Sequence, residues 1–187
     1  AALIVVPDSV TNPYEYYLDN VSKSLEFFKT LVDLDHKRVV FSSSASLYDV
    51  VPGFMVTEQS PLNPISPYAR TKFMMEMILK DFCSAYGMKG IALRYFNLIG
   101  ADPKMRSGLH TPTPTHILGK LVQVALGELP YFEITGTDYP TRDGTGIRDY
   151  IHVWDLAQAH VNAVVDFEKV FERAGDPQDG YVDINLG

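Results

Sequence analysis

Two short runs of contiguous apolar residues constrain the fold of this chain most: Arg38-Val39-Val40-Phe41-Ser42-Ser43 and Gly90-Ile91-Ala92-Leu93-Arg94-Tyr95-Phe96. Neither alternates apolar with polar, as a strand with one wet face would, so both read as strands covered on both sides. Tyr181 to Leu186 reads as a further strand. The intervening segments are long enough for helices. Asn12-Pro13-Tyr14-Glu15 places Asn as an N-cap with Pro in the first helical position, and Tyr14, Tyr17, Val21, Leu25, Phe28 and Val32 then predict a helix over 13–35. Ser66-Pro67 opens a second helix that ends at Tyr86 before Gly87, Thr115 to Leu126 predicts a third closed by Gly127, and Asp155 to about Arg173 a fourth. Residues 49–65 and 98–114 read as loops, 131–135 as a strand, 136–146 as turns and 148–153 as a short extended piece. Alternation of this kind predicts an α/β fold, a mainly parallel sheet with helices on both faces. Ligands of such sheets sit at the carboxyl ends of strands, which draws attention to Ser42-Ser43-Ser44 and to Asn97.

Charge narrows the function classes. With 16 Lys+Arg against 23 Asp+Glu, a formal charge of −7, the chain does not read as a nucleic-acid binder, and any anionic ligand needs a local cluster of donors. The single cysteine, Cys83, stands among helix formers and reads as a small buried hydrophobe in a reducing, cytoplasmic setting. No apolar run approaches the ~20 residues that span a bilayer. Ala1 to Val6 is apolar without a basic segment ahead of it, and reads as a buried strand or loop rather than a signal peptide. His110, His152 and His160 show no metal-ligand spacing, and no metal is expected.

The chemistry centres on Tyr68-Ala69-Arg70-Thr71-Lys72 at the start of the second helix. Four residues advance a helix by about 400°, so Tyr68 and Lys72 share a face. A free phenol titrates near pH ~10. A neighbouring ammonium and the helix N-terminus both favour the phenolate, which makes Tyr68 a candidate general base towards an alcohol. By itself such a pair is usually an exposed Tyr and Lys on an amphipathic helix. Here it follows a strand that ends in Ser42-Ser43-Ser44-Ala45-Ser46-Leu47-Tyr48, where a serine hydroxyl can steer a reacting oxygen towards the phenol.

A strand, a serine at its carboxyl end and a helix bearing YxxxK resemble the short-chain dehydrogenases/reductases. Leu93-Arg94-Tyr95-Phe96-Asn97 with Gly100-Ala101 resembles the extended branch of that family, the nucleotide-sugar epimerases and dehydratases. Asp138 to Gly146, Arg148-Asp149-Tyr150-Ile151-His152-Val153, Ser44 to Tyr48 and Ser66-Pro67-Tyr68 are similar to the UDP-glucose 4-epimerases within it. The resemblance covers essentially the whole sequence. It implies part of a Rossmann-like, NAD-binding domain over 1–100 and, over 101–187, mostly a smaller UDP-sugar lobe with segments returning to the sheet. The implied reaction interconverts UDP-glucose and UDP-galactose by hydride transfer from C4 to NAD, rotation of the 4-keto sugar and return of the hydride. Tyr68 would take the 4-hydroxyl proton, Lys72 would bind the nicotinamide ribose and lower the Tyr68 pKa, and Ser44 and Ser46 would contact the sugar. Ala1, Ala2, Leu3, Asn20, Phe96 and, with Lys72, Ser44 and Tyr68 would touch NAD, while Asn97, His116 and Arg148 would hold UDP, the forked guanidinium suiting a diphosphate. A homodimer through the helices 13–35 and 66–86 is also implied, with the aromatic and Met-rich faces (Tyr14, Tyr16, Phe27, Phe28, Met74, Met75, Met77) mostly core and partly interface.

The sequence departs from the family pattern in several places. No GxxGxxG occurs, so the resemblance implies that a Gly-rich loop precedes Ala1 and more of the substrate lobe follows Gly187, the residues given being a piece expected to be inactive by itself. Ile4 stands where Lys is usual, Asp49 where Gly is usual, Leu109 where Gly-Glu is common and His116 where many members have Asn. Two rival readings stay open. One is another nucleotide-sugar enzyme of the family, such as a dehydratase or decarboxylase; against a dehydratase, Leu47 and Tyr48 follow Ser46 where an Asp-Glu pair is needed. The other is a non-catalytic nucleotide-binding relative.

Overall fold

A computed structural model describes residues 2–111 and 113–187. Its elements run α1 (Val6–Thr11), α2 (Pro13–Tyr16), a π-helical turn (Tyr17–Ser22), α3 (Lys23–Asp33), β1 (Arg38–Ser42), α4 (Pro67–Tyr86), β2 (Lys89–Tyr95), β3 (Asn97–Ile99), α5 (Ile117–Ala125), β4 (Tyr150–His152), α6 (Val153–Val165), α7 (Phe167–Arg173) and β5 (Tyr181–Leu186). The chain divides into two compact units, one up to Phe96 with Gln158–Leu186, the other Asn97–Ala157.

The first unit is built on a parallel sheet in the order β1-β2-β5, with Val40 opposite Ile91 and Ile91 opposite Val182. Side chains of β2 alternate between two cores. Ala92 joins Phe28, Val39, Leu79, Cys83, Met88 and Tyr181 on the side of α3 and α4; Ile91 and Leu93 join Ala163, Phe167 and Phe171 on the side of α6 and α7. Helices on both faces of a parallel sheet are the predicted α/β arrangement. Cys83 packs in the first core, where burial pushes its thiol up to about 12, so it serves as an unreactive hydrophobe. In the second unit β3 and β4 form a short parallel pair, Leu98 opposite Ile151, and α5 is the longest helix lying wholly within that unit.

Several local features differ from the sequence expectations, among them α1, which begins at an exposed Val6 where a buried strand or loop was expected, and β3, which enters the expected loop 98–114. The helix predicted over 13–35 is interrupted by the π turn, and Asn12 does not cap it: its amide bonds back to the Asp8 carboxylate at 2.7 Å. Of the anticipated stripe Phe28 is buried while Tyr14 and Leu25 are exposed, and Tyr16, outside that stripe, is buried. Among the anticipated core aromatics and methionines, Phe27, Met74 and Met77 are likewise exposed, whereas Met75 is buried. Residues 131–135 form no strand, having no ladder partner among the described residues, and Tyr131 and Ile134 are exposed. The helix predicted to about Arg173 breaks at Asp166, where φ −102° and ψ 27° leave the helical region, and α7 then packs Phe167 and Phe171 onto the sheet.

Candidate active site

The first turn of α4 is well determined by its sequence. Ser66 Oγ accepts the Ala69 amide N–H at 3.1 Å, Pro67 needs no partner for the hydrogen it lacks, and Gly87 ends the helix in the left-handed region at φ 64°. This start places Tyr68 and Lys72 on the buried face, both under a tenth exposed, rather than towards solvent. Opposite them, β1 ends and the chain enters a 3-10 turn over Ala45–Leu47, capped by Ser44, whose Oγ accepts the Ser46 amide N–H at 3.2 Å and lies 2.9 Å from Ser46 Oγ.

Burial raises the Tyr68 phenol above its ordinary value, the Ser44 hydroxyl pulls it down, and the nearby phenols of Tyr95 and Tyr16 raise it further. The net shift is thus upward, where the sequence expectation was downward. The Lys72 ammonium donates to the Ser42 carbonyl at 2.9 Å and lies 6.0 Å from the Tyr68 ring centre and 5.2 Å from that of Phe41. Burial lowers Lys72 itself to about 8, opposed by the Glu76 carboxylate. Among the described residues the ammonium has that single hydrogen-bond acceptor, which leaves N–H donors for a ligand hydroxyl.

The π turn carries Asn20, which is wholly buried. Its amide donates to the Leu3 carbonyl at 2.9 Å and to Thr71 Oγ1 at 3.1 Å, and its oxygen accepts the Leu3 N–H at 2.8 Å. Tyr16 repeats the pattern one turn earlier, its hydroxyl bonding both the N–H and the carbonyl of Val5. Both donors of the Asn20 amide are therefore spent on the protein, where it fixes the Leu3 backbone against α4. Ala2 and Leu3 are half-buried, Ile4 is exposed, and Ala1 lies outside the described residues. Phe96 is half-buried just past β2, its N–H bonded to the Leu186 carbonyl at 3.2 Å.

Sequence reasoning assigned no role to a buried polar network behind these groups. Glu76, on α4, accepts from Ser43 Oγ, from Arg94 Nε at 3.0 Å and from Arg94 Nη2 at 2.6 Å. Arg94 also donates to the Tyr48 hydroxyl at 3.0 Å and pairs with Asp183 at 2.8 Å; Tyr48 in turn donates to Asn185 at 2.7 Å. Burial disfavours the Arg94 charge, yet the Glu76 carboxylate outweighs it and holds the guanidinium above its ordinary value. An acid four residues after Lys72 was the one signal of this in the sequence.

In the second unit, Asn97, Leu98, Thr115, His116, Arg148 and Tyr150 line a hollow of about 190 Å³. Asn97 is held there by its amide on the Asp149 carbonyl at 3.0 Å. His116 precedes α5 without capping it. Arg148 donates to the Ile147 carbonyl at 2.7 Å and forms no ion pair with Asp149 among the described residues. A cation with donors to spare, an imidazole and an amide therefore converge on one hollow, a fit for an anion.

The NAD dependent epimerase/dehydratase family matches residues 1–174. The chain belongs to this family. A relative from Azospirillum brasilense named UDP-glucose 4-epimerase is 44% identical over 169 residues, covering 90% of this chain and 49% of that protein. The crystal structure of UDP-glucose 4-epimerase from Brucella ovis in complex with NAD matches with a TM-score of 0.88 and 40% identity, over 100% of this chain and 55% of that one. The Bifidobacterium longum UDP-glucose 4-epimerase, in complex with NAD+ and UDP, matches with a TM-score of 0.86 and 35% identity, over 100% and 54%. The chain thus spans about half the length of these relatives of the epimerase/dehydratase family.

Proposed function

We propose that the whole protein is an NAD-dependent isomerase that interconverts UDP-glucose and UDP-galactose at C4. The observation that carries this reading is the meeting of Ser44, Tyr68 and Lys72, from a strand end and one helix face, in a buried polar site. A buried ammonium with donors to spare fits a ribose hydroxyl, so Lys72, Ala2 and the Leu3 backbone that Asn20 clamps, together with Ala1 by its sequence position, and Phe96 hold NAD in a domain formed by the first unit. Held there, NAD would supply reversible hydride acceptance, so that one cofactor would serve both half-reactions.

The chain's own residues handle the proton and the grip. Ser44 and Ser46 orient the 4-hydroxyl, and Tyr68 Oη exchanges its proton. The protonated phenol favoured by burial is the acid that returns a proton to a carbonyl oxygen; the Ser44 hydroxyl stabilises the phenolate needed for the reverse step. Asn97, His116 and Arg148 hold the UDP portion, the guanidinium on the diphosphate. Dehydratase chemistry finds no support, since Leu47 is wholly buried and the Tyr48 hydroxyl is taken up by Asn185 and Arg94. Exposed apolar side chains on α3 and α4, among them Leu25, Phe27, Met74 and Met77, support a homodimer through these helices. No described helix is long and apolar enough to cross a membrane, and the lone buried Cys83 supports a cytoplasmic setting. The test is proton NMR of UDP-galactose incubated with the whole protein and NAD. Appearance of UDP-glucose is expected; a 4-keto-6-deoxy sugar, or an unchanged spectrum with nucleotide bound, overturns the reading.

A further inference from the structure

We propose that Glu76 is a positioning residue of this site: its carboxylate fixes the serine strand end through Ser43 and sets a negative charge one helical turn from the Lys72 ammonium. The inference rests on the reading of Ser44, Tyr68 and Lys72 as the reacting site.

Glu76 stands four residues beyond Lys72 and eight beyond Tyr68 on α4, hence on the same helix face, and is 4% exposed. A carboxylate so deep in the protein is retained only with partners, and these are informative. Ser43, which donates to it, immediately precedes Ser44, so the carboxylate fixes the point from which Ser44 reaches Tyr68. The acids here are Glu76 and Asp183, the latter also acted on by Glu58, and the cations are Arg94, Lys72 and Lys80, with Arg94 shared between Glu76 and Asp183. Arg94 therefore does not cancel Glu76 alone, and part of its charge is left to Lys72. The other groups facing Lys72 are the Ser42 carbonyl and Phe41 ring from β1 and the Tyr68 ring on its own helix, none of them anionic at neutral pH. Facing Glu76 from the remaining elements are Arg94 on β2 and Tyr181 and Asp183 on β5.

The experiment reads the Lys72 amine directly. The whole protein is labelled with 13C-lysine, the Lys72 resonance is assigned with Lys72→Arg, and its titration is followed without substrate. Glu76→Gln is expected to lower the midpoint by about one unit and to reduce kcat about tenfold with KM little changed. Ser43→Ala is expected to lower kcat comparably while leaving the midpoint in place. An unchanged midpoint in Glu76→Gln, or an unchanged kcat in Ser43→Ala, overturns the proposal. Should Glu76→Gln fail to fold, Glu76→Asp draws the charge back by one methylene. It is expected to move the midpoint down by a fraction of a unit, and no movement overturns the proposal equally. A shifted midpoint in a protein that does not interconvert UDP-hexoses refutes the epimerase reading and leaves the charge link standing.

Discussion

Lys72 Nζ donates to the carbonyl oxygen of Ser42 at 2.9 Å, fastening a buried cation of α4 to the carboxyl end of β1. The fastening has a cost. Burial brings the ammonium from the model-compound value of 10.5 to about 8. Below pH 8 folded and unfolded chains both carry the proton, and folding bears the whole penalty of desolvating the ion. Between about 8 and 10.5 the unfolded chain binds more protons, so stability rises with pH through that window, and above it the penalty is gone. Lys72→Met is therefore expected to be more stable than the parent at pH 7 by about 2 kcal/mol, after the lost hydrogen bond is set against the desolvation, while losing activity. Denaturant unfolding at pH 7 and again above pH ~10.5 checks this, the difference between the two proteins shrinking at the higher pH.

Asn20→Ala removes a wholly buried amide that satisfies the Leu3 N–H and carbonyl and bonds Thr71. A loss of about 2–3 kcal/mol is expected in denaturant unfolding, because the Leu3 groups are left without these partners. Weaker NAD binding by the whole protein is expected with it, as the Leu3 backbone is displaced.

Arg148 is exposed and has no acidic partner among the described residues, so its replacement leaves stability unchanged. Arg148→Lys is expected to weaken UDP binding about tenfold by calorimetry despite keeping the charge, since an ammonium cannot reproduce the guanidinium fork on a diphosphate.

Two glycines separate backbone strain from crowding. Gly100 has φ +89° and a side chain there would overlap the His152 ring, whereas Gly127 has φ +74° and open space beside it. Gly127→Ala is expected to cost about 1 kcal/mol and Gly100→Ala distinctly more, by thermal or denaturant unfolding.

The parts of this molecule legible in its sequence are those dictated within a turn or a strand. Ser66, Pro67 and Gly87 define α4 by local chemistry, and the spacing of Tyr68 and Lys72 then places both on one face. The apolar runs of β1 and β2 likewise carry their own burial pattern. What was not legible depends on distant partners. The π turn over Tyr17–Ser22 answers to Leu3 and Thr71, which Asn20 must reach, and a period of 3.6 cannot reveal it. The Glu76–Arg94 pair spans two elements and becomes meaningful only when β2 lies against α4. The upward direction of the Tyr68 shift comes first from burial, which its spacing from Lys72 does not reveal.

The central claim is that the Tyr68 phenol exchanges the proton of a sugar hydroxyl, and Tyr68→Phe in the whole protein tests it most directly. The loss of one hydroxyl facing Ser44 leaves the fold and its unfolding midpoint nearly unchanged. Followed by proton NMR with NAD present, the variant is expected to convert UDP-galactose to UDP-glucose about 1,000-fold more slowly than the parent. A well-folded variant that converts it as fast as the parent contradicts the account.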